Sequence, residues 1–83
     1  MITVKYFASL RSLAGKDEDQ FSMGNETSLI NLSNEISKTA PKIGAMILEK
    51  KIMVSVNMDV IASDAIIKDG DEVALLPPFS GGR

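Results

Sequence analysis

Apolar and polar positions alternate from the start of the chain. Ile2, Val4 and Tyr6 fall on one side, and Thr3, Lys5 and Phe7 on the other. A period of two, rich in β-branched and aromatic residues, predicts a strand. Ser9 is placed to cap a short helix whose apolar positions, Leu10 and Leu13, are three apart, and Gly15 is placed to end it. The charged stretch Lys16 to Asp19 reads as a turn. Glu18 to Met23, with Phe21 and Met23 on one face, reads as a second strand paired with the first.

Gly24-Asn25-Glu26 breaks the alternation, and the period then lengthens. Leu29, Leu32, Ile36 and Ala40 recur at helical spacing behind a cap at Thr27 or Ser28, while Asn31, Asn34, Glu35 and Lys38 lie off that stripe. Packing on a sheet accounts for such a stripe without any further role. Pro41 stops this helix and can begin a second one carrying Ile43, Met46 and Ile47. Alternation returns at Ile52, Val54 and Val56, a third strand. Asn57-Met58-Asp59 is a turn candidate in which Met58 is an unusual residue, and Val60-Ile61 is a brief fourth strand. Asp69-Gly70-Asp71 is a stronger turn signal, because glycine accepts a positive φ. Glu72 to Leu76 forms the last strand, which Pro77-Pro78 ends because neither residue can donate to a ladder. A hairpin, a crossing helix and later strands predict an α+β roll: a mixed sheet with one main helix packed across it, the β-grasp arrangement. The expected division is a folded unit over residues 1–76 and an extended tail over 77–83.

Composition narrows the chemistry. The 83 residues, 45% of them hydrophobic, suffice for one modest core. The chain has no Cys and no His, which removes disulfides, thiolate metal sites, thiol nucleophiles and the commonest general base. A self-contained enzyme is therefore not expected, since it would have to rely on carboxylates, Lys, Tyr or a bound cofactor. No metal or cofactor bound by this chain is expected. The net charge is -2, the longest basic run is Lys50-Lys51, and the aromatics are three Phe and one Tyr, so no nucleic-acid footprint is expected. No apolar run approaches the roughly 20 residues that cross a bilayer, and the start lacks the layout of a signal peptide. The expected compartment is the cytoplasm, with no membrane partner.

What remains for chemistry is Phe79-Ser80-Gly81-Gly82-Arg83. Two glycines minimise bulk, and the two prolines before them favour an extended root. Fully extended, residues 77–82 would reach roughly 20 Å. A thin end of this kind suits a narrow channel in a partner, with the terminal carboxylate as the reactive group. A frayed terminus would look the same.

Val56-Asn57, then Asp69-Gly70-Asp71-Glu72-Val73-Ala74, Pro77-Pro78 and Ser80-Gly81-Gly82, together with Ile2 to Phe7, Arg11, Leu13 and Gly15, carry a resemblance that spans the chain. The sequence resembles the MoaD/ThiS family of ubiquitin-like sulfur carriers, in the branch of the molybdopterin synthase small subunit. Residues Phe21 to Lys50 match only in pattern. The resemblance implies a ubiquitin-like β-grasp fold and a cycle. An activating enzyme resembling those of ubiquitin uses ATP to adenylate the terminal Gly82 carboxylate, and a persulfide donor converts it to a thiocarboxylate. The tail, Pro77, Pro78, Phe79, Ser80 and Gly81, enters the large synthase subunit. There sulfur passes to cyclic pyranopterin monophosphate to build the dithiolene that binds molybdenum or tungsten. The catalytic side chains would sit on the partners. Phe7, Val60 and Leu76 match positions facing the large subunit, with Arg11 as a rim charge. All three apolar residues could instead be core.

Arg83 departs from the family pattern, which ends at the second glycine. Its presence would tie up the Gly82 carboxylate in a peptide bond, so activation would require its removal. Three further readings share these features: a thiamin-pathway sulfur carrier, a ubiquitin-like protein modifier, and a β-grasp interaction module with an inert tail.

Overall fold

The structure is a computed structural model and describes residues 1–61 and 65–77. Its first strand, β1 (Ile2–Tyr6), buries Ile2, Val4 and Tyr6 as the alternation predicts. It pairs antiparallel with β2 (Glu18–Phe21) and parallel with the last strand, β7 (Glu72–Leu76). Between β1 and β2 lies α1 (Ser9–Ala14), ended by Gly15 at φ 77° in the left-handed conformation that glycine tolerates. The cap position is Ala8, with no side-chain cap, so Ser9 does not serve as the predicted cap but is already in the helix. Of the two apolar positions in α1, only Leu10 is buried; Leu13 is exposed. A helix of six residues turns too little of its surface inward to bury both.

Ser28 caps α2 (Leu29–Ser37) by accepting the Asn31 N–H at 3.0 Å. Leu29, Leu32, Ile36 and, just beyond the helix, Ala40 are all buried. Pro41 sits in the first turn of α3 (Pro41–Leu48), where its missing N–H costs nothing. The two helices approach closely at Gly44. A Cβ there would lie 2.9 Å from the Ser33 carbonyl oxygen and 2.8 Å from Ser37 Cβ.

The chain then forms β4 (Met53–Val56) and β5 (Asp59–Val60), joined as a hairpin, and β7 inserts between β1 and β4. The main sheet has the order β2-β1-β7-β4-β5, with the β1–β7 pair parallel and the other pairs antiparallel. This is the expected mixed sheet with helices packed on one face. Two strands escaped the sequence reading. Glu26–Ser28 forms β3 and Ile66–Lys68 forms β6, and they pair with each other antiparallel as a separate ribbon. Met23, assigned above to the second strand, lies beyond its end at Phe21. The core is one cluster between the sheet and the helices, in which each fully buried aliphatic side chain contributes about 1.5–3 kcal/mol.

Candidate functional site

Among the described residues, no helix lies over the outer face of the main sheet. Strand parity puts Thr3 and Lys5 of β1, Glu72, Ala74 and Leu76 of β7, and Met53 and Ser55 of β4 on this side, opposite the apolar core, with Ser55 itself buried among its neighbours. Lys5, Ala74, Ser55 and Val60 form one row across four strands. In the next row Leu76 stands opposite Met53. Phe7 follows directly on β1, its N–H donating to the Leu75 carbonyl at 3.2 Å.

Ala74, with its small side chain, lies in the middle of these rows. Around it is a shallow depression of about 370 Å³ lined by Phe7, Val60, Leu76, Ser55, Met58, Lys5 and Glu72. The structure thus brings together three of the residues predicted to face a partner. Phe7 is 42% exposed and Val60 67%, with Leu76 half-buried, so none of the three is core. Arg11 is not part of this group. It projects from α1 beside a separate hollow with Ser12, Gly15 and Lys16, and its guanidinium lies 3.9 Å from Asp17. Pro77 follows Leu76, which lines the depression, and is half-buried. Pro78, Phe79, Ser80, Gly81, Gly82 and Arg83 lie outside the described residues.

The polar side of the depression is the Lys5–Glu72 ion pair, 3.0 Å across adjacent strands. The hydrogen bond and then the charge of Glu72 hold the Lys5 ammonium above its ordinary pKa. Lys5, Ser55, Met58 and Glu72 were not singled out from the sequence as site residues. For Lys5 and Glu72 the signal was available: both share the outward parity of residues already chosen, Phe7 and Leu76.

The residues that carried the family resemblance have a structural task. Asn57 Nδ2 donates to Asp71 Oδ1 at 3.0 Å, and Asn57 Oδ1 accepts the Glu72 N–H at 3.0 Å. Asp71 Oδ2 accepts the Lys68 N–H at 2.8 Å. Asn57 thereby ties the β4–β5 turn to the β6–β7 turn and fixes the start of β7. The buried Tyr6 donates to Asp19 at 3.0 Å, and Lys16 donates to the same carboxylate at 3.0 Å. Burial and then Asp19 raise the Tyr6 pKa well above its ordinary value, so this phenol stays protonated and is a structural donor.

Among the described residues there is no group of three or more His, Cys, Asp or Glu that could hold a metal ion. None of their helices is long and apolar enough to cross a membrane.

Comparison with known proteins places this geometry. A molybdopterin synthase sulfur carrier subunit from Chlamydomonas reinhardtii is 34% identical over 83 residues, covering 98% of each chain. Its counterpart from Escherichia coli is 30% identical over 82 residues, covering 99% of this chain and all of that one. Among solved structures, the small archaeal modifier protein 1 of Methanosarcina acetivorans superposes with a TM-score of 0.77 at 30% identity, covering 98% of this chain and 95% of that one. A complex of subunits 1 and 2 of the molybdopterin-converting factor from Helicobacter pylori contains a chain of the same fold, with a TM-score of 0.64 at 21% identity, covering 98% and 97%. The ThiS family model matches residues 4–82, from the middle of β1 to Gly82. The chain belongs to the ThiS family, and its relatives over the full length include molybdopterin synthase sulfur carrier subunits.

Proposed function

We propose that this chain is a sulfur carrier of molybdenum cofactor biosynthesis, working through the carboxylate of Gly82. The observation that carries the reading is the extent of the likeness: the family match runs through Gly82, and the sulfur carrier relatives align over nearly their whole length. Arg83, which lies beyond the family match, is removed first. A partner enzyme transfers AMP from ATP to the freed Gly82 carboxylate and releases pyrophosphate, because a carboxylate is otherwise a poor electrophile. The outer sulfur of a persulfide donor then displaces the AMP to form an acyl disulfide, and a thiol reduces that S–S bond, leaving the donor sulfur in a disulfide and Gly82 as a thiocarboxylate. That thiocarboxylate is the nucleophile that delivers sulfur to cyclic pyranopterin monophosphate inside the large synthase subunit. The chain binds no cofactor of its own in this scheme, and the lack of Cys and His is no obstacle.

The outer face supplies the docking surface. Phe7 and Val60 are exposed and Leu76 half-buried, an apolar patch next to Pro77 of the kind that marks an interaction site. That a chain of the same fold occurs in a complex with a second subunit supports a large-subunit partner here. Arg11, standing apart, is at most a rim contact. Deleting Gly82 together with Arg83 tests the chemistry. Thiocarboxylate formation should vanish while circular dichroism stays native, and full sulfur transfer by the truncated chain would refute the reading. The likeness to an archaeal modifier protein favours one alternative, attachment of Gly82 to lysines of other proteins. Conjugates formed with ATP and the activating enzyme, in the absence of a sulfur donor, would identify it.

A further inference from the structure

The β4–β5 hairpin closes through two residues, Asn57 and Met58, between the paired Val56 and Asp59. Both loop residues have positive φ, 50° at Asn57 and 74° at Met58. A two-residue hairpin loop of this kind favours Asn at its first position and Gly at its second. Asn57 fits its place, and its side chain makes the two hydrogen bonds that tie the turns together. Met58 does not fit. The left-handed region is disfavoured for a residue with a Cβ, and methionine has no short polar group to compensate locally.

Nor does packing account for Met58. Its side chain is 91% exposed, more than any other large apolar side chain among the described residues. The fold therefore gains nothing from Met58 that glycine would not supply better. Strain and exposed apolar surface together call for another explanation, and the position of the residue offers one. Met58 stands on the rim of the depression that Phe7, Val60 and Leu76 line. An unbranched, polarizable thioether adapts to the shape of an apolar pocket better than a branched side chain does.

We propose that Met58 is a docking residue whose side chain reaches from the turn into an apolar socket on the large synthase subunit. The inference rests on the reading of the outer face as the docking surface and adds to it a contact outside the family motif residues. Its signature is an inverse relation between stability and binding at one position. Met58→Gly creates the favoured Asn-Gly turn and should raise the Tm by about 3 °C. The same change should weaken binding to the large subunit by about five- to tenfold, as expected for an interface anchor. Met58→Leu, similar in volume and apolarity, should bind within about twofold of the parent.

The experiment is calorimetric titration of the purified large subunit with the parent, Met58→Gly, Met58→Leu and Phe7→Arg chains, with a melting curve for each. Weaker binding by Met58→Gly at an equal or higher Tm, with binding kept in Met58→Leu, supports the proposal. Parent-like binding by Met58→Gly overturns it, and so does a fall in its Tm, which would mean that Met58 packs on its own fold. If Phe7→Arg weakens binding and Met58→Gly does not, only the role of Met58 fails. If neither weakens binding, the docking surface itself has been misplaced.

Discussion

The inner face of the main sheet carries Ile2, Val4, Tyr6, Val54, Val73 and Leu75, each 7% exposed or less. One residue along the same strands, the outer face carries Lys5, Glu72, Ala74, Leu76 and the buried Ser55, with Phe7 at its edge and no helix of the described residues above. The backbone hydrogen bonds are common to both faces, so the ladder cannot be what distinguishes them. Helices α2 and α3, together with Leu10 of α1, cover one side, and there apolar contact becomes stability. The other side keeps a smaller apolar group beside an ion pair, next to the end of β7. Neighbouring residues such as Tyr6 and Phe7, or Leu75 and Leu76, therefore belong to different functions, and substitutions one position apart should separate them.

The largest effect is expected on the inner face. Leu75→Ala removes a side chain with no exposed surface and should destabilise the fold by about 2–5 kcal/mol, read as a lower urea midpoint. A loss below about 1 kcal/mol would mean that the two faces differ less than described. On the outer face, Phe7→Arg should leave stability within about 0.5 kcal/mol of the parent. Its binding to the large subunit should weaken by about tenfold or more in the same titration. A collapse of the melting temperature would instead assign Phe7 to the core.

Asn57→Ala tests what joins the faces. It removes both side-chain hydrogen bonds to the β6–β7 turn and places alanine at φ 50°, so a loss of about 1–2 kcal/mol is expected in denaturant. The smallest effect concerns Tyr6. The folded state holds the phenol proton more tightly than the unfolded chain does. That contribution is complete below the ordinary tyrosine value of about 10 and is lost as the pH rises past it. Urea midpoints should fall more steeply at alkaline pH for the parent than for Tyr6→Phe. Parallel curves would remove Tyr6 as the cause.

Much of this architecture is legible in the sequence, where a short-range signal exists. Alternation marks β1 and β7, and the spacing of Leu29, Leu32 and Ile36 marks α2. Pro41 and Gly70 punctuate the chain where they should. The ribbon of β3 and β6 is not legible, because each strand has three residues and exists through pairing across some forty positions, as in Thr27 with Ile67. That Leu10 is buried and Leu13 exposed is not legible, because three-residue spacing identifies a stripe without saying how far a short helix rolls toward the core. At the candidate site, Phe7, Val60 and Leu76 were chosen through family likeness, and the register brings them around one depression. Met58 was visible as an oddity in its turn, but its place on the rim of that depression depends on strand order. The task of Asn57 and Asp71 was hidden for a similar reason, since sequence similarity marks residues that matter without separating chemistry from architecture.

The central claim is that the reactive group is the main-chain carboxylate of Gly82. It is tested most directly by intact mass. Two chains are compared, one ending at Gly82 and one at Arg83, each incubated with purified activating enzyme, ATP, a persulfide donor and a thiol reductant, with protease excluded. The chain ending at Gly82 should gain the mass of one sulfur in place of one oxygen, and the chain ending at Arg83 should not change. An unchanged Gly82 chain under conditions that load an established sulfur carrier would contradict the account. So would equal loading of both chains, which would show that a free Gly82 carboxylate is not the requirement.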